Sequence, residues 1–250
     1  MSVDPIIETV AVSKSFGGFK ALSNVSVKVQ PGMLTSIIGP NGAGKSTFFN
    51  LMSGAFAPSE GKVLFQGRDI TGLRAHDFAH AGIAKSFQIT NLFPNFTTLE
   101  NVRIALQAHV SRYGLWKRRG DLPGLSERGM QLLEIVGLGT RAKHLARELA
   151  HGQQRALEIA VALAADPRLL LMDEPTAGMS PEETRIMMDL IRRLVGERTV
   201  VLVEHKMKMV MGISERIVVL HHGELIAQGS PDDIRGNDLV KRVYLGQGSH

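Results

Sequence analysis

The sequence predicts an α/β fold with a mainly parallel sheet. Three short, strongly apolar segments have the length and composition of buried strands, Leu34 to Ile38, Leu169 to Met172 and Thr199 to Val203. A segment with helical patterning follows each of them. Strands that alternate with helices form parallel sheets whose faces are covered by the helices.

The N-terminal part has further strand signals. Residues Ile6 to Val12 are β-like, and Val25, Val27 and Val29 alternate with polar residues, as in a strand with one buried face. Pro31 and Gly32 then predict a turn before the first buried strand. More strands are expected at Val63 to Gln66 and Ile83 to Phe87.

The middle of the chain predicts helices only. Thr97 and Glu100 form a capping-box pattern that opens a helix running to about Val110, and a second helix is expected from Ser126 to Val136. The intervening residues 111–126 mix glycine, proline and charge, which is typical of a loop.

The C-terminal third returns to alternating strands and helices. Ser180 as N-cap, with Pro181 in the first turn and Glu183 three residues on, predicts a helix start. After the strand at Thr199 to Val203, a short helix and a hairpin that turns at His222-Gly223 complete the pattern.

Composition sets the class of protein. A chain of 250 residues with 44% apolar and 21% charged residues can form one large domain or a domain with a subdomain. The absence of cysteine excludes disulfides and thiolate metal sites, and is compatible with a reducing cytoplasm. No secretory signal is visible in MSVDPIIETV. The apolar runs fall short of the roughly 18–20 residues that cross a bilayer.

The positive charge does not predict a nucleic-acid partner. The formal net charge is +5, but the basic residues are scattered apart from Lys117 to Arg119. A run this short is typical of a solvated surface. We therefore expect no nucleic acid among the partners.

The segment GPNGAGKST, from Gly39 to Thr47, has the spacing of a phosphate-binding loop between a strand and a helix. Its glycines allow a tight turn whose N–H groups converge on phosphate oxygens, and the following helix N-terminus adds partial positive charge. Lys45 is expected to reach the β and γ phosphates and Ser46 to ligate Mg²⁺.

A second chemical element follows the strand LLLM. Asp173 stands at the carboxyl end of that strand, where open α/β sheets bind ligands, so its carboxylate is expected near Mg²⁺. Glu174 is then placed to orient or deprotonate an attacking water. An ordinary helix-capping turn is the alternative, but the phosphate loop favours the catalytic interpretation.

Three further side chains are candidates for the same site. His205 follows a third strand end and is expected to contact the γ-phosphate. Gln88 follows the strand near Ile83 and is expected to reach the metal or the water through its amide. Phe16 is expected to stack on adenine, with a plain core aromatic as the alternative.

These motifs together resemble the ATP-binding-cassette (ABC) ATPases. The phosphate loop, Gln88, LAHGQQ, LLLMDEPTAG and VEHK occur in the order and spacing of that family and cover most of the chain. Within the family, FQITNLFPNFTTLENV, DEPTAGMSPEE, LVEHKMKMVM and the late YLG are similar to ATPases of branched-chain amino-acid importers and their amide or urea relatives.

The resemblance implies a P-loop NTPase fold with an N-terminal antiparallel β part and an α-helical subdomain. The nucleotide-binding core would comprise residues 1–88 and 156–250, and the helical subdomain 89–155. Two subunits would pair head to tail around two ATP molecules. One subunit's half-site would use Phe16, Gly39, Pro40, Asn41, Gly42, Ala43, Gly44, Lys45, Ser46, Thr47, Gln88, Asp173, Glu174 and His205.

The signature segment, defined here as Ala150, His151, Gly152 and Gln153, would serve the ATP of the opposite subunit. It departs from the family pattern, which has serine and glycine where this chain has Ala150 and His151. The missing hydroxyl removes a hydrogen bond to a charged group, which contributes roughly 1.5–3 kcal/mol. His151 adds a donor or is a partly exposed residue at a helix start.

Two departures lie outside the signature segment. Ser180 replaces the family's usual aspartate, and its N-cap role explains it. Lys206 follows His205 where an acidic residue is common.

The sequence thus predicts a peripheral ATPase subunit on the cytoplasmic face of the membrane that powers uptake of branched-chain or related amino acids. Its partners would be a second ABC ATPase, transmembrane permease subunits and, indirectly, an extracytoplasmic solute-binding protein. Leu92, Phe93 and Phe96 would form the docking surface for the permease, or else belong to the core. The alternatives are an importer for another solute such as an amide or urea, a soluble non-transport ABC ATPase and a nucleotide-gated binding module with negligible turnover.

Overall fold

The computed structural model describes residues 4–86, 92–110 and 124–245. The strands in these ranges are β1 (Ile7–Phe16), β2 (Phe19–Val29), β3 (Leu34–Ile38), β4 (Glu60–Phe65), β5 (Arg68–Asp69), β6 (Ile83–Ser86), β7 (Leu169–Asp173), β8 (Thr199–Val203), β9 (Arg216–His221) and β10 (Glu224–Gly229). The helices are α1 (Lys45–Met52), α2 (Ala75–Ala81), α3 (Thr98–Val110), α4 (Leu125–Ile135), α5 (His151–Leu163), α6 (Pro181–Leu194), α7 (Met207–Ile213), α8 (Pro231–Gly236) and α9 (Asp238–Leu245).

The described residues fall into two compact units. The first comprises the described parts of residues 1–83, 168–174 and 192–250, and the second those of 84–167 and 175–191. The functional division into a nucleotide-binding core and a helical subdomain stays a prediction.

The larger sheet has the order β10-β9-β3-β8-β7-β6, and the chain leaves the first unit within β6 after Ile83. Strand β3 pairs in parallel with both β8 and β9, and β7 pairs in parallel with β8. The expected mainly parallel sheet is therefore confirmed. The hairpin at His222-Gly223 is also confirmed, because β9 and β10 pair antiparallel on either side of it.

A separate sheet of order β2-β1-β4-β5 is formed by antiparallel pairs, which confirms the N-terminal antiparallel β part. Strand β1 extends to Phe16, beyond the expected end at Val12. The pairing register shifts between Thr9 and Val12, and Ala11 has a φ of 50°. Such a bulge interrupts the alternation of side chains, so the sequence pattern ends before the strand does.

The core of the first unit explains why β7 and β8 consist almost entirely of apolar residues, whereas β3 also buries two hydroxyl side chains. Every residue of β3, β7 and β8 is buried. Phe48 and Phe49 of α1 are fully buried in the same hydrophobic cluster as Leu171 and Val201. A strand buried on both faces has no polar alternation, and this produces the continuous apolar runs of the sequence.

The second unit is built mainly from α3, α4, α5 and most of α6. The predicted capping box is present, because the Thr97 N–H donates to Glu100 Oε2 at 2.8 Å and the Glu100 N–H donates to Thr97 Oγ1 at 3.1 Å. Most of the expected loop, including Lys117 to Arg119, lies outside the described residues. Within the described ranges, no helix combines the length and apolar character needed to span a bilayer.

Candidate functional site

The phosphate-binding loop joins β3 to α1, as the sequence predicts. Lys45 is the first residue of α1 and is only 8% exposed. Its Nζ donates to the carbonyl oxygens of Gly39 at 2.8 Å and Pro40 at 3.0 Å, so the ammonium closes the loop on itself. Burial lowers the pKa of Lys45, and the carboxylates of Glu174 and Asp173 oppose that shift.

Gly44 is a loop residue with little freedom to change. It precedes α1 with a φ of 95°, a region that side chains rarely adopt. A Cβ atom there would lie 2.8 Å from Leu22 Cδ2 and 2.9 Å from the carbonyl oxygen of Ala21. The loop therefore packs directly against the start of β2.

The β9–β10 hairpin supports the loop from another direction. The Gly223 N–H donates to the carbonyl oxygen of Ala43 at 3.1 Å, and the Ser23 N–H donates to the carbonyl oxygen of Gly223 at 2.9 Å. The sequence indicates a turn at this glycine but gives no sign that it contacts the phosphate-binding loop, 180 residues away in the numbering.

A cleft of about 300 Å³ opens over the loop. Its walls bring Glu174 together with the predicted phosphate-binding residues, and the lining consists of Phe19, Ala21, Asn41, Gly42, Ala43, Gly44, Lys45, Ser46, Thr47 and Glu174. A nucleotide phosphate chain placed here would meet backbone N–H groups, one ammonium and two hydroxyls on one side and a carboxylate on the other.

Asp173 and Glu174 occupy the carboxyl end of β7. Asp173 is buried, whereas Glu174 lies on the wall of the cleft. Glu174 has a φ of 45°, a left-handed conformation unusual for a side chain of this size, and its N–H donates to the carbonyl oxygen of Val203 at 2.9 Å. Backbone strain of this kind is concentrated at functional sites, where it holds a side chain in the orientation that the site needs.

His205 follows the adjacent strand β8 at the same edge of the sheet. Its Nδ1 lies 3.5 Å from Glu174 Oε1 and 4.0 Å from Glu204 Oε2. Its backbone N–H also donates to Glu204 Oε2 at 3.3 Å. Glu204 is fully buried, so the side chain that anchors the His205 backbone is fixed inside the unit. This role of Glu204 is not predictable from the sequence motifs.

Phe16 is 44% exposed, so the alternative that it is a core aromatic is wrong. Its ring packs edge-on against Phe56 with centroids 5.4 Å apart, and Lys14 Nζ lies 5.2 Å from its centroid. Phe16 is not among the described residues that line the cleft, whereas Phe19 is, with 67% exposure. The adenine-stacking role of Phe16 stays a prediction, and Phe19 is a second candidate that the sequence motifs do not indicate.

The signature segment lies at the start of α5, in the second unit. Ala150 precedes the helix and offers no side-chain acceptor, while the Ala150 N–H donates to Gln153 Oε1 at 3.2 Å. His151 is exposed, and its Nε2 lies 3.1 Å from the carbonyl oxygen of Ala177. The Gly152 N–H donates to Glu183 Oε1 at 3.2 Å. Nothing in the sequence predicts the last two contacts.

The expected metal ligands are only partly within the described structure. Gln88 lies outside the described residues. In the part of the chain that is described, no group of three or more His, Cys, Asp or Glu residues is arranged to hold a metal ion. The expected donors Ser46 and Asp173 stand at the start of α1 and the end of β7.

Two family models match the sequence. The model of the ABC transporter family matches residues 22–177, and that of the branched-chain amino acid ATP-binding cassette transporter matches residues 224–250. The high-affinity branched-chain amino acid transport ATP-binding protein BraF of Pseudomonas aeruginosa is 41% identical, covering 97% of this chain and 98% of that protein. LivG of Escherichia coli, described in the same words, is 38% identical with the same coverage.

Solved structures agree with the sequence comparisons. The ADP conformation of MJ1267, an ATP-binding cassette of an ABC transporter, has a TM-score of 0.87 and 31% identity, covering 96% of this chain and 98% of that chain. The dimeric bacterial cassette MJ0796 has a TM-score of 0.75 and 31% identity, covering 90% and 98%. The family model, the similar transport proteins and the solved cassettes agree with the phosphate-binding loop and the acidic strand end seen in the structure. The chain therefore belongs to the ABC transporter family.

Proposed function

We propose that this chain is the ATP-binding and ATP-hydrolysing subunit of an importer for branched-chain or related amino acids. The observation that carries the proposal is the similarity over 97% of the chain to transport ATP-binding proteins named for branched-chain amino acids. The branched-chain cassette model at residues 224–250 supports it independently of the ATP-handling motifs.

In this proposal the cleft over the phosphate-binding loop holds the nucleotide. The loop N–H groups and Lys45 bind the phosphates, and Phe16 stacks on the adenine, with Phe19 of the cleft lining as the alternative aromatic. Glu174 orients or deprotonates the attacking water, and His205, 3.5 Å from Glu174, contacts the γ-phosphate. Binding would close the two subunits on ATP, and hydrolysis of the β–γ bond would reset them.

The donor set of the first unit suits Mg²⁺. Ser46 contributes a hydroxyl and Asp173 a carboxylate, and Mg²⁺ typically takes one or two protein oxygens together with phosphate oxygens and waters. Gln88 is proposed as a further ligand to the metal or the water. Bound there, the ion would neutralise charge that develops on the phosphates.

The second half of each site comes from another subunit. We propose that the signature segment reaches the ATP held by a second ABC ATPase, as implied by the head-to-tail arrangement of the family. A nucleotide-binding core of residues 1–88 and 156–250 and a helical subdomain of 89–155 would then present opposite halves of the site. The dimeric cassette structure supports pairing.

Permease subunits are proposed to dock on Phe93 and its neighbours, with the solute-binding protein acting indirectly through them. Phe93 is 50% exposed, and its ring stacks on Phe96 with centroids 5.3 Å apart. Asn101 fixes this surface, since its Oδ1 accepts the Phe93 N–H at 2.8 Å and its Nδ2 donates to the Phe93 carbonyl at 3.1 Å. An exposed aromatic ring stacked on a half-buried one suits contact with a helix of a membrane subunit.

Replacement of Phe93 by alanine tests the docking surface. We expect Phe93→Ala to uncouple solute uptake from ATP hydrolysis while nucleotide affinity is unchanged. Leu239→Ala, which shortens an exposed apolar side chain of the first unit, is the matched control. Normal uptake by Phe93→Ala would contradict docking at this surface.

Co-purification of the tagged chain from membranes, with identification of its partners, tests the transport function and the peripheral membrane location. We expect permease subunits and a second cassette. Recovery of only soluble partners would favour a non-transport ABC ATPase, and permeases of an amide or urea system would change the proposed solute.

The hydrolytic role is tested by comparing ATPase rates. Glu174→Gln should abolish turnover, whereas Glu182→Gln, the same exchange at the exposed start of α6, should retain it. Equal rates for the wild type and Glu174→Gln would overturn the catalytic assignment and favour a binding module.

A further inference from the structure

The start of α5 is capped by a side chain from another helix. A helix begins with N–H groups that have no partner within the helix, and a serine, threonine or aspartate at the N-cap normally accepts from one of them. Ala150 at the N-cap cannot do so. Glu183 of α6 supplies the missing acceptor, because its Oε1 receives the Gly152 N–H at 3.2 Å.

The carboxylate of Glu183 is held in place by its own helix start. Its Oε2 accepts the Ser180 N–H at 3.0 Å, and the Glu183 N–H donates to Ser180 Oγ at 3.3 Å. The hydrogen bonds from Ser180, followed by the one from Gly152, lower the pKa of Glu183. The group is therefore a fixed anion at neutral pH, with one oxygen directed at each helix start.

The absence of a side chain at Gly152 leaves room for this approach. A Cβ atom at that position would lie 3.0 Å from Glu183 Oε1, 3.2 Å from its Cγ and 3.3 Å from its Cβ. A second link lies beside the first, where His151 Nε2 is 3.1 Å from the carbonyl oxygen of Ala177. The signature segment thus contacts α6 through Gly152 and the segment that leads into α6 through His151.

We propose that Glu183 is a positioning residue that caps α5 in the nucleotide-free subunit and yields the Gly152 N–H to a phosphate of the second subunit's ATP. The inference rests on the proposed function, in which the signature segment binds that ATP. A carboxylate and a phosphate are both anionic acceptors, and one N–H cannot serve both at full strength. Glu183 therefore raises the ATP concentration at which the dimer closes.

Removal of the charge with retention of the shape tests this competition. Glu183→Gln keeps an amide oxygen that accepts from Gly152 but removes the anion. The readout is the ATP concentration for half-maximal dimerisation in the hydrolysis-deficient Glu174→Gln background, measured for the chain alone and with the cassette that co-purifies with it. We expect a decrease of about fivefold, the effect of removing one charge about 4 Å from an anion in water-like surroundings.

Glu182→Gln is the matched control, because it makes the same exchange one residue earlier on an exposed side chain that pairs with Arg185. We expect it to leave the half-maximal ATP concentration unchanged. The midpoint of thermal unfolding without nucleotide distinguishes a purely structural cap from competition with ATP. If Glu183 were only structural, its replacement would lower this midpoint without lowering the ATP concentration needed for dimerisation.

Suppose that the Glu174→Gln parent dimerises normally and that Glu183→Gln needs as much ATP as Glu182→Gln, or more. This result would overturn the proposed competition between Glu183 and ATP and would leave the proposed function standing. If the Glu174→Gln parent does not dimerise with ATP, either alone or with the co-purifying cassette, the proposed head-to-tail site is wrong and the inference fails with it.

Discussion

Replacement of Gly44 by alanine should destabilise the protein more than the same replacement at Gly42. Both glycines have positive φ, 95° at Gly44 and 78° at Gly42, so alanine pays a backbone cost of about 1–2 kcal/mol at either position. Around Gly42 a Cβ atom would meet nothing within 4 Å, whereas at Gly44 it would lie 2.8 Å from Leu22 Cδ2 and 2.9 Å from the Ala21 carbonyl oxygen.

The close approach adds a second cost at Gly44 alone. Forcing a methyl group into a packed position destabilises by about 1–3 kcal/mol, and the Ala21 oxygen belongs to the backbone of a paired strand that cannot simply rotate away. For a protein of 150–250 residues, 1 kcal/mol shifts the unfolding midpoint by roughly 2–4 °C. The two variants should therefore differ by roughly 2–12 °C.

The assay is thermal unfolding without nucleotide, followed by ATP binding on the same samples. Without nucleotide, any difference between the variants reports on packing rather than on phosphate contacts. We expect Gly44→Ala to unfold at the lower temperature and to bind ATP more weakly. Equal midpoints would refute the argument that the loop is held against the start of β2.

Three further outcomes are expected. Phe16→Ala should weaken ATP binding about fivefold or more, the effect of losing one base–aromatic stack; loss confined to Phe19→Ala would assign the base to Phe19 instead. Thr97→Ala should lower the free energy of unfolding by about 1 kcal/mol through loss of the α3 cap, measured by denaturant titration; an unchanged midpoint would mean that the helix start is held by other contacts. Hydrogen bonds from Ser230 lower the pKa of Asp233 below its usual 3.8, so its stabilisation is full above that value and is lost as the pH falls through the lowered pKa. The midpoint difference between the wild type and Asp233→Asn should accordingly be present at pH 7 and vanish in acid; a constant difference would exclude the carboxylate charge as its cause.

The parts of the fold that follow from local sequence were predictable. Strands β7 and β8 contain continuous apolar runs because both of their faces are buried, and the helix starts at Thr97 and Ser180 depend on residues three positions apart. The end of β1 was not predictable, because a bulge at Ala11 breaks the alternation on which strand prediction depends.

The sequence by itself determined the chemistry: a phosphate-binding loop around Lys45, the acidic pair Asp173 and Glu174 after a buried strand, and His205 after another. These signals are short and local, because the apolar residues next to each of them predict the strand and therefore the position of its end. Only the tertiary structure decided that Gly223 supports the loop and that Glu183 caps the signature segment. Those contacts join residues far apart in the chain. They use backbone N–H groups, which every residue except proline has, so the residue type does not reveal them.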